Sequence, residues 1–400
     1  MATTTASHLL FIFFVLYLSS TPLLASSLRK ARKQINVEDF GAIGDGKTDA
    51  SQAFLRAWGK ACQSSDDHTT IYVPRKRFFL RSVDFQGPCR GSSIMVHLDG
   101  SILVSPQYIE MGLAEDWIRF VDVNGLAIVG GYLDGRGKQL WWCKENSQKC
   151  PPGATSLSVY GSKNVVIRNL TSVDAKLYHV VIHSCENIKI EGVKIYAPSD
   201  SPNTDGIHVQ NALNVHVLRT AIKTGDDCIS VGPGTRNLRI NRIACGPGHG
   251  ISIGSLGKGL EEEGVSNVTV TNAVFTGTTN GLRIKSWGRP SNGFVKDVFF
   301  KRVLMNNVEN PIVIDQNYCP WDEGCPNQHS GVKISHVTYT DIKGTSASQV
   351  AVKFDCSPIS PCQGIRLRDI KLTYQHQPAE SVCKNILGVA HGQIAPPSCL

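Results

Sequence analysis

Short segments in which apolar and polar residues alternate recur along the chain from residue 164 onward. Each begins with Asn, Asp or Gly, and successive segments start 23 to 34 residues apart with no helical periodicity between them. They are Asn164–Ile167, Asn187–Ile190, Asn214–Val217, Asn237–Ile240, Asn267–Val270, Asp297–Phe300, Gly331–Ile334 and Gly364–Leu367. Alternation with a period of two is typical of a half-buried β-strand. This first series therefore predicts one strand per repeat.

A second series of strands falls between the members of the first. It comprises Gly206–Val209, Cys228–Val231, Gly250–Ile253, Gly281–Ile284 and Pro311–Ile314. Strands repeated at this period without helices predict an all-β fold, in which coils stack into a parallel β-helix. A β-sandwich is the alternative, but it would need hairpin turns about every 8–12 residues. We therefore expect residues 28–400 to form a single β-helix domain.

The open end of such a solenoid needs a cover, and the segment from Asp49 to Cys62 has the pattern of a helix. Asp49 is placed as an N-cap, with Gln52 three residues later. Four apolar residues recur at helical spacing: Phe54, Ala57, Trp58 and Ala61. We expect this helix to cover the unpaired strand edge of the first coil.

The first 27 residues have the composition of a secretory signal peptide. They contain no Lys, Arg, Asp or Glu, and Leu9–Leu18 is an unbroken apolar run. The small residues Ala25, Ser26 and Ser27 offer cleavage points. A membrane anchor is the alternative, but so short an apolar run cannot span a bilayer. We expect residues 1–27 to be removed and the mature protein to be soluble and secreted.

The number and spacing of the cysteines fit a secreted protein, which folds in an oxidising compartment. Of thirteen cysteines, twelve form pairs of close sequence neighbours, and Cys185 is left over as a small buried thiol. Proximity alone does not establish pairing; the candidate disulfides are Cys62–Cys89, Cys143–Cys150, Cys228–Cys245, Cys319–Cys325, Cys356–Cys362 and Cys383–Cys399. No pairs have zinc spacing, so no metal site is expected. Sequons at Asn169 and Asn267 are candidate glycosylation sites.

The charge balance narrows the class of partner. The chain carries 41 Lys and Arg against 33 Asp and Glu, a net charge of +8 at pH 7. A basic secreted protein can bind nucleic acid, an acidic polysaccharide or a membrane surface. Nucleic acid is disfavoured because no basic run is interleaved with aromatic residues. An acidic polysaccharide fits both this charge and the carboxylates described next.

The second series brings acidic residues and an imidazole into one register. The residues at the head of its strands are Asp205, Asp227, His249, Asn280 and Asn310. Because neighbouring coils stack at about 4.8 Å, these groups should lie on one face, with Asp226 beside Asp227. Strict alternation would turn Asp205 and Asp227 inward. We expect the chain to bend outward there, as Gly206, Gly225 and Gly250 would permit.

Further polar residues align next to these. One register on are His208, Ser230, Ser252 and Arg283, and Lys285 follows on the same outward face. Hydrolysis of a glycosidic bond needs a protonated carboxyl for the leaving oxygen and a carboxylate to activate water. Each residue alone is equally well explained by a turn or an exposed strand. Their convergence in one register favours a site that hydrolyses a polyuronide, because the two cations would suit the acid groups of its sugars.

Four motifs occur in the order and spacing of a known family. They are SPNTDG at 201–206, GDDC at 225–228, GHG at 248–250 and RIK at 283–285. Together they resemble the signatures of the plant polygalacturonases, pectin-degrading glycoside hydrolases, over roughly residues 34–400. The resemblance implies a right-handed parallel β-helix and a homogalacturonan substrate in the cell wall. We expect a monomer without cofactor, metal, nucleic-acid or membrane partner.

The resemblance also implies a role for each motif residue. Asp226 is expected to be the general acid, with its proton supported by His249. Asp205 and Asp227 are expected to position and deprotonate the attacking water. Substrate contacts are expected from Arg283, Lys285, Tyr318 and Asn203. Members of the family invert the anomeric carbon.

Several functions fit the fold and part of the site. A polysaccharide lyase would not need adjacent acids to activate water, and a wall-binding protein without turnover would not need them at all. Hydrolases of rhamnogalacturonan or xylogalacturonan share the acids, but the Arg283 and Lys285 pair favours plain galacturonan. The segments around Cys356 and Cys362 favour internal (endo) over terminal (exo) cleavage.

Overall fold

The chain winds into stacked coils whose strands form two long parallel sheets. The structure, a computed structural model, describes residues 1–2, 33–105, 107–146, 149–320 and 323–400. One sheet has 18 strands and the other has 11. Among the described residues every strand pairing is parallel except that of Gln377–Pro378 with Cys362–Tyr374. The predicted parallel β-helix is confirmed.

The 18-stranded sheet is called the long sheet. Its strands after residue 160 contain the first predicted series. They are, in chain order, Lys33–Asn36, Asp45–Asp49, His68–Val73, Arg77–Phe79, Ser93–Leu103, Asn124–Asp134, Lys163–Arg168, Thr171–Val173, Glu186–Glu191, Lys194–Tyr196, Leu213–Lys223, Arg236–Cys245, Val265–Thr276, Phe294–Val308, Lys333–Ser346, Cys362–Tyr374, Gln377–Pro378 and Ile386–Ala395.

The 11-stranded sheet is called the site sheet. It contains the second predicted series, extended by strands at both ends. Its strands are Val83–Gln86, Asp116–Val121, Thr155–Tyr160, Val180–His183, Ile207–Gln210, Ile229–Val231, Ile251–Leu256, Asn280–Trp287, Asn310–Tyr318, Val350–Asp355 and Glu380–Lys384.

Helices are few and short in the described chain. They are the 3-10 helix Val37–Phe40 and the α-helices Ser51–Cys62, Tyr108–Gly112 and Lys138–Asn146. The predicted capping helix is Ser51–Cys62, and its four apolar residues are buried. Asp49 as N-cap is wrong by one position. Asp49 ends a strand, so Ala50 is the N-cap, and Asp49 Oδ1 accepts from the backbone N–H of Ser51 at 2.9 Å.

Asparagines at the start of the first series form a ladder along the long sheet. Asn164, Asn187, Asn214, Asn237 and Asn267 all have φ between 55° and 59°, a left-handed conformation that Asn tolerates better than most residues. Each of the last four donates from Nδ2 to Oδ1 of the asparagine one coil earlier, at 2.8–3.2 Å. The ladder therefore fixes the register of these coils.

The predicted register is wrong at one coil. The structure pairs Val298 with Val337, so the position of Asp297 is occupied one coil later by His336 rather than by Gly331. His336 has φ 55° and Gly364, at the next coil, has φ 65°. The coil after Asp297 is longer, and its Gly-Val-Lys-Ile segment at 331–334 also alternates, which made the two registers indistinguishable by pattern.

Side chains from both sheets fill the interior of the coils. The predicted inward residues of the site sheet are at most 1% exposed: Ile207, Val209, Ile229, Val231, Ile251, Ile253, Leu282 and Ile284. Each pairs in register with the equivalent residue of the next coil, so like side chains stack along the axis. Burying such a side chain contributes about 1.5–3 kcal/mol, so this core holds the site sheet rigid.

Six disulfides join the neighbouring cysteines. They are Cys62–Cys89, Cys143–Cys150, Cys228–Cys245, Cys319–Cys325, Cys356–Cys362 and Cys383–Cys399. Cys185 is free and buried, and its thiol lies 3.3 Å from the carbonyl oxygen of Val159. The sequon residues Asn169 and Asn267 are both exposed, and their glycosylation stays a prediction.

The segment Lys33–Leu400 is one compact unit. The predicted signal peptide, residues 1–27, lies outside the described residues apart from Met1 and Ala2. In the described parts of the chain no helix is both long and apolar enough to cross a membrane.

Candidate active site

Three turns deliver the motif residues to the same end of adjacent site-sheet strands. Ile207 pairs with Ile229 and Ile229 with Ile251, which places Asp205, Asp227 and His249 on successive coils. Backbone hydrogen bonds join the turns: Gly206 N–H donates to Asp227 O at 2.9 Å, and His249 N–H donates to Asp226 O at 2.8 Å. The predicted register of this second series is correct. The polar groups therefore lie within one ladder of backbone bonds.

Glycines let these turns approach one another closely. A Cβ on Gly225 would lie 2.1 Å from the carbonyl oxygen of Ser201, and one on Gly206 would lie 2.6 Å from that of Cys228. Of the three glycines expected to bend the chain, only Gly250 has a left-handed conformation, with φ 86°. Glycine is thus needed at positions 206 and 225 because a side chain there would clash with the neighbouring turn, and not because of the backbone conformation.

Asp227 is a buried carboxylate held by three side chains. Its Oδ1 accepts from Ser252 Oγ at 2.7 Å and from Arg283 Nη2 at 2.9 Å, and its Oδ2 accepts from Lys285 Nζ at 2.8 Å. Its side chain is 1% exposed and that of Lys285 is 8% exposed. Burial alone would raise the pKa of Asp227, but the charges of Lys285 and Arg283 outweigh it and lower the pKa to about 2. Asp227 is therefore ionised.

Asp205 is buried too, but it has no such cations around it. Burial raises its pKa well above the ordinary range, and the negative charges of Asp226 and Asp227 raise the pKa further. The hydrogen bond from Ser230 and the charge of Lys285 oppose this rise without cancelling it. Of the two carboxyls one coil apart, Asp205 therefore retains a proton at pH values where Asp227 has lost its own.

A hydrogen-bonded chain runs from Asp205 away from the other acids. Ser230 bonds to Asp205, Nδ1 of His208 lies 2.8 Å from Ser230 Oγ, and Nε2 lies 3.1 Å from Gln210 Oε1. Burial lowers the pKa of His208, so its ring is neutral. Ser230 thus links the carboxyl of Asp205 to this ring, and its hydrogen bond to Asp205 lowers the pKa of Asp205 without cancelling the effect of burial.

Asp226 is the acid that faces the solvent. Its side chain is 20% exposed, against 1% for Asp227. Nδ1 of His249 lies 3.1 Å from Asp226 Oδ1, and the same oxygen accepts from the backbone N–H of Asp227 at 2.7 Å. The disulfide from Cys228, the next residue, anchors this turn to the end of the strand Arg236–Cys245. Asp226 is thus held in place while its carboxyl meets the groove.

The acids open into a groove of about 710 Å³. Residues from eight consecutive site-sheet strands line it, from Asp116–Val121 to Asn310–Tyr318. Asn203 and Tyr318, both predicted to contact substrate, are among the lining residues. Lys285 Nζ lies 5.0 Å from the centroid of the Tyr318 ring, a cation–π distance. The predicted site residues therefore share one cavity, apart from His249 and Arg283, which bond to acids that line it.

Two cations of the site bind one of its acids. Arg283 and Lys285 were expected on the outward face of their strand as substrate contacts; both head groups bind Asp227 and are largely buried, and their contact with substrate stays a prediction. Each retains N–H donors beyond those used for Asp227. The cations therefore set the charge of Asp227.

Only one group of potential metal ligands occurs in the described chain. Asp226, Asp227 and His249 offer ligand atoms within 4.8 Å of one another. Both oxygens of Asp227 already accept from cations, however, and His249 bonds to Asp226. A divalent cation would have to displace Arg283 or Lys285, so the donor set fits proton chemistry better than metal binding.

Comparison with known proteins identifies the family. The profile of Glycosyl hydrolases family 28 matches residues 62–393. The chain belongs to this family. A polygalacturonase of Prunus persica is 54% identical over 91% of this chain and 93% of its own length. An exopolygalacturonase of Platanus acerifolia is 40% identical over 90% and 96%. The resemblance drawn from the four motifs is confirmed, and the chain is an enzyme of the glycosidase class.

A solved structure from a fungus shows the same fold. The endo-xylogalacturonan hydrolase of Aspergillus tubingensis superposes with a TM-score of 0.77, covering 90% of this chain and 99% of that chain. Its sequence identity is 22%, so this likeness concerns the fold. The two chains therefore share their fold, and the specificity of this chain depends on its own groove.

The sequence patterns did not identify Tyr178, an aromatic residue that lines the groove. Tyr178 stacks on His208 with ring centroids 5.3 Å apart and planes at 22°. Burial and the charges of Asp205 and Asp226 raise the pKa of Tyr178, so it stays neutral. Val180 pairs with Ile207, so Tyr178 occupies the register of Asp205 one coil earlier. Extending the second series back by one strand would have found it.

Proposed function

We propose that this family 28 enzyme hydrolyses the α-1,4-galacturonosidic bonds of pectic homogalacturonan. The observation that carries the proposal is that three acids on two neighbouring coils differ in protonation and exposure. Asp227 is ionised by its cations, Asp205 is biased towards the protonated state, and Asp226 meets the groove beside His249. Acid–base hydrolysis of a glycosidic bond needs both a proton donor and a carboxylate within reach of one bond.

The proposed general acid is Asp226. It is the most exposed of the three clustered acids that line the groove, and His249 hydrogen-bonds to it. One proton is shared within the cluster, because three neighbouring carboxylates cannot all ionise cheaply. In the proposed step Asp226 gives a proton to the glycosidic oxygen, while Asp205 and Asp227 orient the attacking water and take its proton, with inversion at the anomeric carbon.

Cations close to the catalytic acids support an acidic sugar as substrate. Arg283 and Lys285 keep N–H donors for a uronate carboxylate, and Tyr318 offers a ring beside them. The exposed side chain of Lys258, which the sequence reasoning passed over, lines the same groove. Asn203, exposed and in a left-handed turn with φ 56°, is placed to contact the sugar next to Asp205.

We propose internal cleavage of the polymer. Eight coils along the groove correspond to roughly 34 Å at the usual strand spacing, room for several sugar rings. The strands that carry the acids and the imidazole, which begin at Ile207, Ile229 and Ile251, are the fourth to sixth of those eight. Sugars can therefore occupy both sides of the acids, as endo cleavage requires.

The size of the products tests this proposal. Polygalacturonate incubated with the enzyme should lose viscosity early and yield a ladder of oligomers without the ultraviolet absorbance of unsaturated sugars. Asp226→Asn is the control and should be about 10²–10⁴-fold slower, the usual cost of a lost general acid. Release of monomer alone would show exo action, unsaturated products would show a lyase, and hydrolysis restricted to rhamnogalacturonan or xylogalacturonan would move the substrate assignment.

We also propose that the enzyme is secreted to the cell wall and acts as a monomer. Six disulfides support an oxidising compartment, and the apolar run Leu9–Leu18 supports a leader. N-terminal sequencing of protein from the medium should find a start near residue 28. Full-length protein retained inside cells would contradict secretion, and a dimer mass in light scattering would contradict the monomer.

A further inference from the structure

The outward face of the long sheet concentrates the positive charge of the protein. The strand Arg236–Cys245 carries three arginines and no acid, and Leu213–Lys223 carries Arg219 and Lys223 and no acid. By contrast, the site-sheet strands carry five Lys or Arg and five Asp or Glu. The basic face is defined as Arg168, Lys189, Arg219, Arg239, Arg242 and Lys301. None of these residues lines the catalytic groove.

Strand register places these cations in rows. Lys189 pairs with His216 and His216 with Arg239, so these three side chains follow one another on adjacent coils. Neighbouring residues such as Val217 and Ile240 are buried, so alternation turns the basic residues outward. Arg219 and Arg242 occupy equivalent corners with φ 50° and 58°. The rows repeat at about 4.8 Å, the spacing of the coils.

One carboxylate organises part of the face. Glu191, whose side chain is 10% exposed, contacts Arg219, lies 2.9 Å from Lys189 Nζ and 3.4 Å from Arg168 Nε. Three cations around one anion leave a net charge of +2 and hold the side chains in a fixed arrangement. A fixed cluster loses less side-chain entropy on binding an anion than freely moving lysines would.

The remaining cations are not neutralised by the protein. Arg239 and Arg242 are exposed and Lys301 is half-buried, and none of the three contacts a carboxylate in the described residues. Glu191, the carboxylate of this part of the sheet, already contacts three other cations. Charge of this kind attracts a polyanion along the whole row.

We propose that the basic face is a second binding site for an acidic polysaccharide, separate from the groove. The inference rests on the proposed function, because the partner is a stretch of polygalacturonate like the one cleaved. Charge complementarity along a repeating row argues for a polymer with regularly spaced carboxylates. Holding one stretch on the long sheet raises the effective concentration of other stretches at the site sheet. The enzyme would thereby stay on its polymer between cleavages.

The test compares two sets of three Gln substitutions that change net charge equally. The basic-face variant is Arg239→Gln, Arg242→Gln and Lys301→Gln. The control is Lys60→Gln, Arg75→Gln and Arg90→Gln, exposed cations away from that face and without an ion pair among the described residues. Binding to immobilised polygalacturonate is measured in an Asp226→Asn background at low salt. Hydrolysis of a short oligogalacturonate is measured with Asp226 intact.

We expect the basic-face variant to bind the polymer roughly tenfold more weakly, as three weak exposed ion pairs would give. Its dependence on salt should also fall, while the control variant binds as the parent does. Both variants should hydrolyse the short oligomer normally. Equal weakening by the two variants, or no weakening by either, would overturn the second site. Failure of the unsubstituted enzyme to cleave the oligomer would instead contradict the proposed function.

Discussion

Asp205 and Asp227 occupy the same register one coil apart, and both are buried, yet their surroundings drive them to opposite charge states. Asp227 meets Arg283 and Lys285 on the coils that follow it, and its pKa falls to about 2. Asp205 bonds to a neutral serine, and burial together with the charges of Asp226 and Asp227 raises its pKa. Burial raises the pKa of both carboxyls, and the cations reverse this effect at Asp227.

The pH dependence of stability should differ in sign between the two residues. For Asp227 the folded pKa lies below the unfolded value of about 3.9, so its stabilisation is complete above that value and is lost as the pH falls towards about 2. For Asp205 the folded pKa lies above the unfolded value. The folded state then binds the extra proton, and stability declines as the pH rises through that window.

The largest effect is expected from Asp227→Asn. The substitution leaves Arg283 and Lys285 largely buried without their counter-charge, and breaking a buried pair in this way typically costs about 3–5 kcal/mol. Urea denaturation at pH 7 should show this loss of unfolding free energy. Asp84→Asn, which removes the more exposed partner of Arg119, is the matched control and should cost much less. A variant as stable as the parent would mean that the cations do not depend on Asp227.

Lys285→Met should act on turnover as well as on binding. A residue that only grips the substrate carboxylate would change KM and leave kcat unaltered. Lys285 also lowers the pKa of Asp227, so we expect kcat to fall about tenfold or more together with a rise in KM. Lys353→Met, an exposed lysine of the same sheet, is the control. An unchanged kcat in steady-state assays would show that Lys285 acts in substrate binding alone.

Asp205→Asn should give the smallest change in stability, and in the opposite direction. Asparagine resembles the protonated carboxyl, so it removes the cost of ionising a buried acid. We expect a gain on the order of 1.4 kcal/mol at pH 7 for each unit by which the fold raises the pKa, and no gain near pH 3. Thermal melts at the two pH values measure it. Lower stability at pH 7 would show that ionised Asp205 is stabilised by the fold.

Most of the fold and the composition of the site could be predicted, because both depend on short-range patterns. Alternation predicted the strands, and alignment of the alternating segments predicted the register of the second series. The predicted register was wrong at the coil after Asp297 because two segments there alternate equally well. Only packing places His336 rather than Gly331 at the position of Asp297. The contacts of Arg283 and Lys285 could not be foreseen. Alternation with a period of two determines on which face of the sheet a side chain lies. It does not determine which neighbouring coil the end of a long side chain contacts.

The charge states of Asp205 and Asp227 can be measured directly by carbon-13 NMR titration of carboxyl-labelled aspartate in the full-length enzyme. The spectra of Asp205→Asn and Asp227→Asn assign the two signals. The account predicts that the Asp227 carboxyl stays ionised down to about pH 2, whereas the Asp205 carboxyl takes up its proton well above pH 4. Titration of both carboxyls near pH 4, or in the reverse order, would contradict it.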